Sequence, residues 1–189
     1  MSPIRLTGLA IALAAALCFA AAGCESKPAA PKPTTFASNE NGFSITYPDD
    51  WKKWTGSPGA NLLLNPPDQT DVNAYRDNVI VRVEYLDEAL TLDEYAKVKA
   101  AKGAAVMPDY KELEKGAATI GGQPAKRLVY SYSHGDTPVT AIAYFLLSGQ
   151  RGYMVLCSAS VDRFAQRKAQ FEEIAGTFKL IPVGAAPAK

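Results

Sequence analysis

The 189-residue chain is poor in the side chains that most often do chemistry. It has one histidine, His134, and only one cysteine beyond position 24, Cys157. One cysteine closes no internal disulfide, and one cysteine with one histidine falls short of the four ligands of a structural zinc site. Charge of one sign is also missing: 20 Lys and Arg stand against 19 Asp and Glu, and without residues 1–23, whose only charge is Arg5, the balance is 19 against 19. A neutral chain lacks the basic surplus expected of a nucleic-acid binder. There is no Gly-rich phosphate loop and no internal repeat. Gly121-Gly122 reads as hairpin punctuation.

What is present suffices for a single domain. The composition is 48% hydrophobic and 10% aromatic, enough for a packed core. The first 23 residues stand apart from it. Arg5 gives a short positive region, Leu6–Ala22 is apolar, and small residues precede Cys24, the layout of a secretory signal peptide. Leu6–Gly23 is about long enough to span a bilayer. Its alanine content and the absence of a basic cluster after it favour the signal peptide over a membrane helix.

Ala21-Ala22-Gly23-Cys24 resembles the lipobox of bacterial lipoproteins, with Ala21 where leucine is preferred. The resemblance implies lipidation of Cys24 by a thioether-linked diacylglycerol and attachment to a membrane. Two or more acyl chains hold a protein stably where one does not. Secretion with cleavage at a nearby site is the alternative. With Glu25 rather than Asp after the cysteine, the outer membrane is favoured over the inner, the domain facing the periplasm. Residues 24–35, rich in Pro and Ala, are expected to form a flexible tether. A folded domain is expected over residues 36–183, and a frayed tail over 184–189.

Within the domain, Phe43, Ile45 and Tyr47 alternate with polar residues, as do Val79, Val81, Val83 and Tyr85, so each run predicts a half-buried strand. Leu62–Leu64 is a short apolar strand, followed by a loop over 65–78. Thr91 with Glu94 forms a capping box, and Leu90 with Tyr95 fits a hydrophobic staple, opening a helix that fades near Gly103. Thr119-Ile120, Ala125–Ser133, Val139–Leu147 and Tyr153–Ser158 read as antiparallel strands. Ile142, Tyr144 and Leu146 on one face oppose Ala141, Ala143 and Phe145 on the other, which predicts a strand covered on both sides. Phe164, Phe171 and Ile174 recur at helical spacing over 162–175, with Phe178 just beyond. A last strand is expected over Phe178–Ile181.

Gly42-Phe-Ser-Ile-Thr-Tyr-Pro-Asp-Asp-Trp51 resembles the opening of the PsbP-like family. Gly122-Gln-Pro-Ala-Lys-Arg-Leu-Val-Tyr130, Gly152-Tyr-Met-Val-Leu156 and Phe171-Glu-Glu-Ile-Ala-Gly-Thr-Phe178 match its later plan. The resemblance implies an α+β fold, an α/β/α sandwich with a central antiparallel sheet flanked by helices. It also implies a non-enzymatic role in binding protein partners, as in DcrB-like envelope lipoproteins. No functional residue carries over.

The remaining candidates are weighed on their surroundings. His134, within Ser133-His-Gly-Asp136, reads as an exposed turn residue, and Cys157, in an apolar run, as a buried small hydrophobe. The loop from Asp68 to Asp77, with Asp71 and Asn73, offers oxygens of the kind calcium takes, without EF-hand spacing. Trp51 reads as a plug at the sheet edge and Trp54 as exposed. The expected function is a membrane-tethered protein-binding or assembly lipoprotein of the cell envelope, with no catalytic residues, no cofactor and no nucleic acid. A small-molecule or calcium-binding envelope protein is the alternative.

Overall fold

The computed structural model describes residues 31–69 and 74–183. The signal peptide at 1–23, Cys24, the tether up to residue 30 and the tail at 184–189 lie outside the described residues. In chain order the elements are β1 (Pro33–Ser38), β2 (Phe43–Pro48), β3 (Lys52–Trp54), β4 (Leu62–Asn65), β5 (Asn78–Tyr85), α1 (Leu92–Val106) and β6 (Lys111–Ile120). They continue with β7 (Gln123–His134), β8 (Thr137–Ser148), β9 (Arg151–Ser160), α2 (Val161–Gly176) and β10 (Lys179–Leu180). The strands form two antiparallel sheets, a seven-stranded one in the order β3-β4-β5-β9-β8-β7-β6 and a three-stranded one in the order β1-β2-β10.

The two-faced burial expected of β8 organises the domain. Ile142, Tyr144 and Leu146 join a core with Phe171, Ile174 and Phe178, to which β2 adds Phe43 and Ile45. Ala141, Ala143 and Phe145 join a second core with Tyr95 of α1 and Leu128 of β7. Helix α2 thus packs on one face of the large sheet and α1 on the other, where α1 meets β7 and β8. Gly152 on β9 makes room for α1: a Cβ there would stand 2.5 Å from the Tyr95 ring.

The ends of α1 are set by sequence as expected at one terminus and differently at the other. Thr91 Oγ1 accepts from the Glu94 backbone N–H at 3.3 Å, and Glu94 Oε2 accepts from the Thr91 N–H at 2.8 Å. The Thr91 N–H, and the Thr91 hydroxyl donating to the same oxygen at 2.7 Å, hold the Glu94 carboxyl below its ordinary pKa. Leu90 packs against the core that contains Tyr95, as a staple requires. The helix does not stop at Gly103 but runs to Val106, with the Met107 N–H donating to the Gly103 carbonyl. One interior glycine costs about 1 kcal/mol relative to alanine, too little to end a helix that already packs on a sheet. Thr91→Ala should lower stability by about 1 kcal/mol and the melting temperature by about 2–4 °C. A thermal melt unchanged by the substitution would show that the cap contributes nothing.

Two strand boundaries and the exposure of one residue also differ from the pattern-based reading. β1 begins at Pro33, so the last three residues of the expected tether pair with β2, Pro33 opposite Pro48 and Thr35 opposite Thr46. β6 begins at Lys111, well before Thr119: Lys111-Glu-Leu-Glu-Lys115 carries no alternation because the strand lies on the sheet edge in solvent. Charged residues are what an unpaired edge favours. Tyr85, expected inward, is 69% exposed. It ends its strand beside Arg151, whose guanidinium lies 4.9 Å from the ring centroid and donates to the hydroxyl at 2.6 Å.

The β6–β7 hairpin turns through Gly121 and Gly122, both with positive φ (54° and 78°), as a type I′ turn requires. Its tip docks on the end of α2. The Gly121 N–H donates to the Gly176 carbonyl at 3.0 Å, and a Cβ on Gly121 would fall 1.6 Å from the Phe178 oxygen.

Candidate functional site

Residues 68 and 74–77, between β4 and β5, are held on both faces of the large sheet. On the α2 side Asp77, 0% exposed, accepts from Arg163 Nε and Nη2 at 3.0–3.2 Å and from Arg167 Nε at 3.1 Å. Arg163 Nη2 also donates to the Tyr75 carbonyl at 2.7 Å, and Arg167 Nη2 pairs with Asp68. Residues 163 and 167 are one helical turn apart, so both guanidinium groups project from the same face of α2.

On the α1 side the Tyr75 hydroxyl lies 2.7 Å from Ser158 Oγ and 3.2 Å from the Tyr132 hydroxyl, and accepts from Asn78 Nδ2 at 3.3 Å. Ser158 donates to Asn78 Oδ1 at 3.0 Å. Burial, with Tyr75 alongside, pushes the Tyr132 hydroxyl pKa up, so the group stays neutral and able to donate. None of these buried polar atoms is left unpaired, which makes the cluster a fastening.

The acidic candidates therefore have partners already. Asp68 and Asp77 face arginines, and a calcium ion on that loop would have to displace them. Asp71 and Asn73 lie outside the described residues. Among the described residues no three His, Cys, Asp or Glu side chains are grouped to hold a metal ion. His134 and Cys157 lie on opposite faces of the sheet. His134 is exposed, with its ring edge-on to Tyr75 at 5.3 Å. Cys157 is fully buried, its thiol donating to the Phe171 carbonyl at 3.8 Å, and burial pushes its pKa up. A thiolate nucleophile needs the opposite surroundings.

A broad concavity of about 960 Å³ lies on the α1 side of the sheet beside the end of that helix. Its floor is a row across strands in register: Trp54 opposite Leu63, Leu63 opposite Ile80, Ile80 opposite Leu156. The loop at Tyr75–Arg76, the β7–β8 turn at His134–Thr137 and Met107 at the end of α1 form its walls. Trp51 is 4% exposed and Trp54 is 51% exposed, as their positions in sequence suggest. Sequence reasoning found Trp54 but missed the groove, and it missed Arg163 and Arg167 as partners of Asp77. The one available signal was an Arg-x-x-x-Arg spacing on a helix beside an unexplained aspartate.

These features define an α+β domain, mostly antiparallel sheet with two helices, that carries a broad groove. The chain belongs to the PsbP-like family, described as PsbP-like protein, whose sequence model matches residues 27–180. No curated protein matches the chain by sequence. Among solved structures it is similar to cyanobacterial PsbP (CyanoP) from Synechocystis sp. PCC 6803, at 19% identity and a TM-score of 0.59, covering 83% of this chain and 96% of that one. It is also similar to LpqN, described as involved in cell envelope biogenesis of Mycobacterium tuberculosis. There the identity is 18% and the TM-score 0.60, with 84% and 88% of the two chains covered. A third, PA94 from Pseudomonas aeruginosa, shares 13% identity at a TM-score of 0.55, covering 82% of this chain and 99% of that one. At these identities the likeness is one of fold. Among the described residues no helix is long and apolar enough to cross a membrane.

Proposed function

We propose that this is an exported lipoprotein of the bacterial cell envelope, tethered through Cys24, whose PsbP-like domain binds a protein partner without catalysing a reaction. Its architecture is read as an α/β/α sandwich, supported by the division of the core between the two faces of the large sheet. The observation that carries the binding role is the groove floored by Leu63 and Ile80 and edged by the exposed indole of Trp54. Aromatic side chains such as this indole are enriched at interaction sites relative to the rest of a protein's surface. The involvement of LpqN in envelope biogenesis agrees with an envelope role. The alternative, a small-molecule binder, rests on the hydroxyl and amide groups at the polar end of the same groove. Its calcium form is opposed by the arginines on Asp68 and Asp77.

The anchor is tested by metabolic labelling with an alkyne-bearing palmitate analogue. The wild-type chain should take up label, and Cys24→Ser, which lacks the thiol that must be alkylated, should take up none. The domain should remain folded in the variant, since its first strand begins at Pro33. An unlabelled wild-type protein cleaved elsewhere would leave a secreted protein and remove the anchor. The expected location is the outer membrane, facing the periplasm, and fractionation solely with inner-membrane markers would reverse it.

A further inference from the structure

We infer that the groove receives an extended, acidic segment of the partner protein, one that interleaves carboxylates with apolar side chains. The inference rests on the protein-binding reading and gives it a site and a chemistry. It begins with coverage. Seven strands about 4.8 Å apart make a sheet roughly 29 Å across, and one helix covers a band about 10 Å wide. On the α2 face the small sheet adds Phe43 and Ile45 to what the helix covers. On the other face α1 packs on β7 and β8 and reaches β5 at Glu84, which pairs with Lys99, while Trp54, Leu63 and Ile80 on β3, β4 and β5 floor an open concavity.

That open floor is apolar along one row and cationic beside it. Trp54, Leu63 and Ile80 run across three neighbouring strands. Arg82 and Lys52 stand two residues from Ile80 and Trp54 on the same strand faces, and Arg76 lies on the groove wall. Elsewhere Lys99, Lys115, Lys126, Arg127, Arg163 and Arg167 each meet a carboxylate within 4 Å, and other surface cations such as Lys97 and Lys168 do not among the described residues. Lys52, Arg76 and Arg82 meet none among the described residues. Asp136, at the β7–β8 turn, is the one carboxylate lining the groove among the described residues. In a chain of balanced charge, a groove lined by Arg76 and Arg82, with Lys52 beside it and one lining carboxylate among the described residues, carries a local positive surplus that suits an acidic occupant.

Shape decides among acidic occupants. The walls at Tyr75–Arg76, His134–Thr137 and Met107 make the face concave. A flat anionic bilayer cannot reach Leu63 and Ile80 between them, whereas an extended chain, with its side chains directed alternately, can lie along the floor.

The test uses the full chain in its host cells, with the photo-crosslinking residue p-benzoylphenylalanine replacing Leu63, and replacing Gln166 on the exposed side of α2 as control. Crosslinked peptides are sequenced. The Leu63 probe should trap a segment with at least two Asp or Glu interleaved with apolar residues, and the Gln166 probe should not. Arg76→Glu combined with Arg82→Glu should cut the Leu63 yield at least tenfold. Trp54→Ala should also reduce it, and both variants should melt like wild type, since these side chains are exposed. Adducts at Leu63 with lipid, with another copy of this chain or with a segment lacking carboxylates would overturn the inference, as would a yield indifferent to charge reversal. A partner trapped only at Gln166 would overturn it while leaving the protein-binding reading in place. No adduct at either position, or at further probes spread over the surface, would remove both.

Discussion

Replacing Arg163 and Arg167 together by alanine should lower the free energy of unfolding by about 3–5 kcal/mol, the cost of stripping the partners from a buried charge. The asymmetry of the clasp sets the size. Asp77 is wholly buried, whereas both arginines keep part of their side chains in water. Removing the aspartate leaves cations that can turn to solvent, but removing the arginines leaves a carboxylate that cannot. Asp77→Asn alone should therefore cost less than the double substitution. Adding Asp77→Asn to the double variant should restore part of the lost stability, because the stranded charge disappears with it. Urea unfolding of the four proteins completes the thermodynamic cycle. A triple variant no more stable than the double would show that the clasp acts through packing and not through charge.

The second large effect is expected at Phe171→Ala, about 3–5 kcal/mol, as for other full truncations of a buried phenylalanine. Phe171 has no exposed surface and lies in the core with Ile142, Tyr144 and Phe178. Phe164, two turns earlier on the same helix, is only partly buried, so Phe164→Ala should cost clearly less. The pair separates burial from helix propensity, since the residue types are identical. A loss below about 1 kcal/mol at Phe171 would mean that this side chain does not fill the core as described.

What was legible in the sequence was whatever a local period encodes. The two faces of β8 were readable because Ile142, Tyr144 and Leu146 alternate with Ala141, Ala143 and Phe145, and a strand covered on both sides needs both sets to be apolar. The capping box and the glycine turn at Gly121-Gly122 were readable because their chemistry lies within four residues. β6 was not, since an edge strand in solvent keeps the backbone of a strand without its pattern. β1 was hidden by the Pro and Thr of Pro33–Thr35, which look the same in a tether as at a sheet margin. The clasp and the groove share a deeper reason. Asp77 and Arg163 are 86 residues apart, and no local spacing says which side of α2 a loop will cross. Likewise the open floor at Trp54, Leu63 and Ile80 follows from where α1 lands, a property of the whole arrangement.

The small sheet has a consequence for how the chain reaches its native state. β2, near the start of the domain, pairs with β10 at its end, and Thr46 and Thr177, 131 residues apart, exchange hydrogen bonds through the Thr177 hydroxyl at 2.8 and 3.0 Å. Contacts so distant in sequence slow the search for the native state. A chain emerging with its amino terminus first, from a ribosome or through a translocation pore, holds Phe43 and Ile45 without their final cover until residues 178–180 have followed. The fold therefore closes late, and the apolar β2 face stays open until the last strand of the domain has emerged.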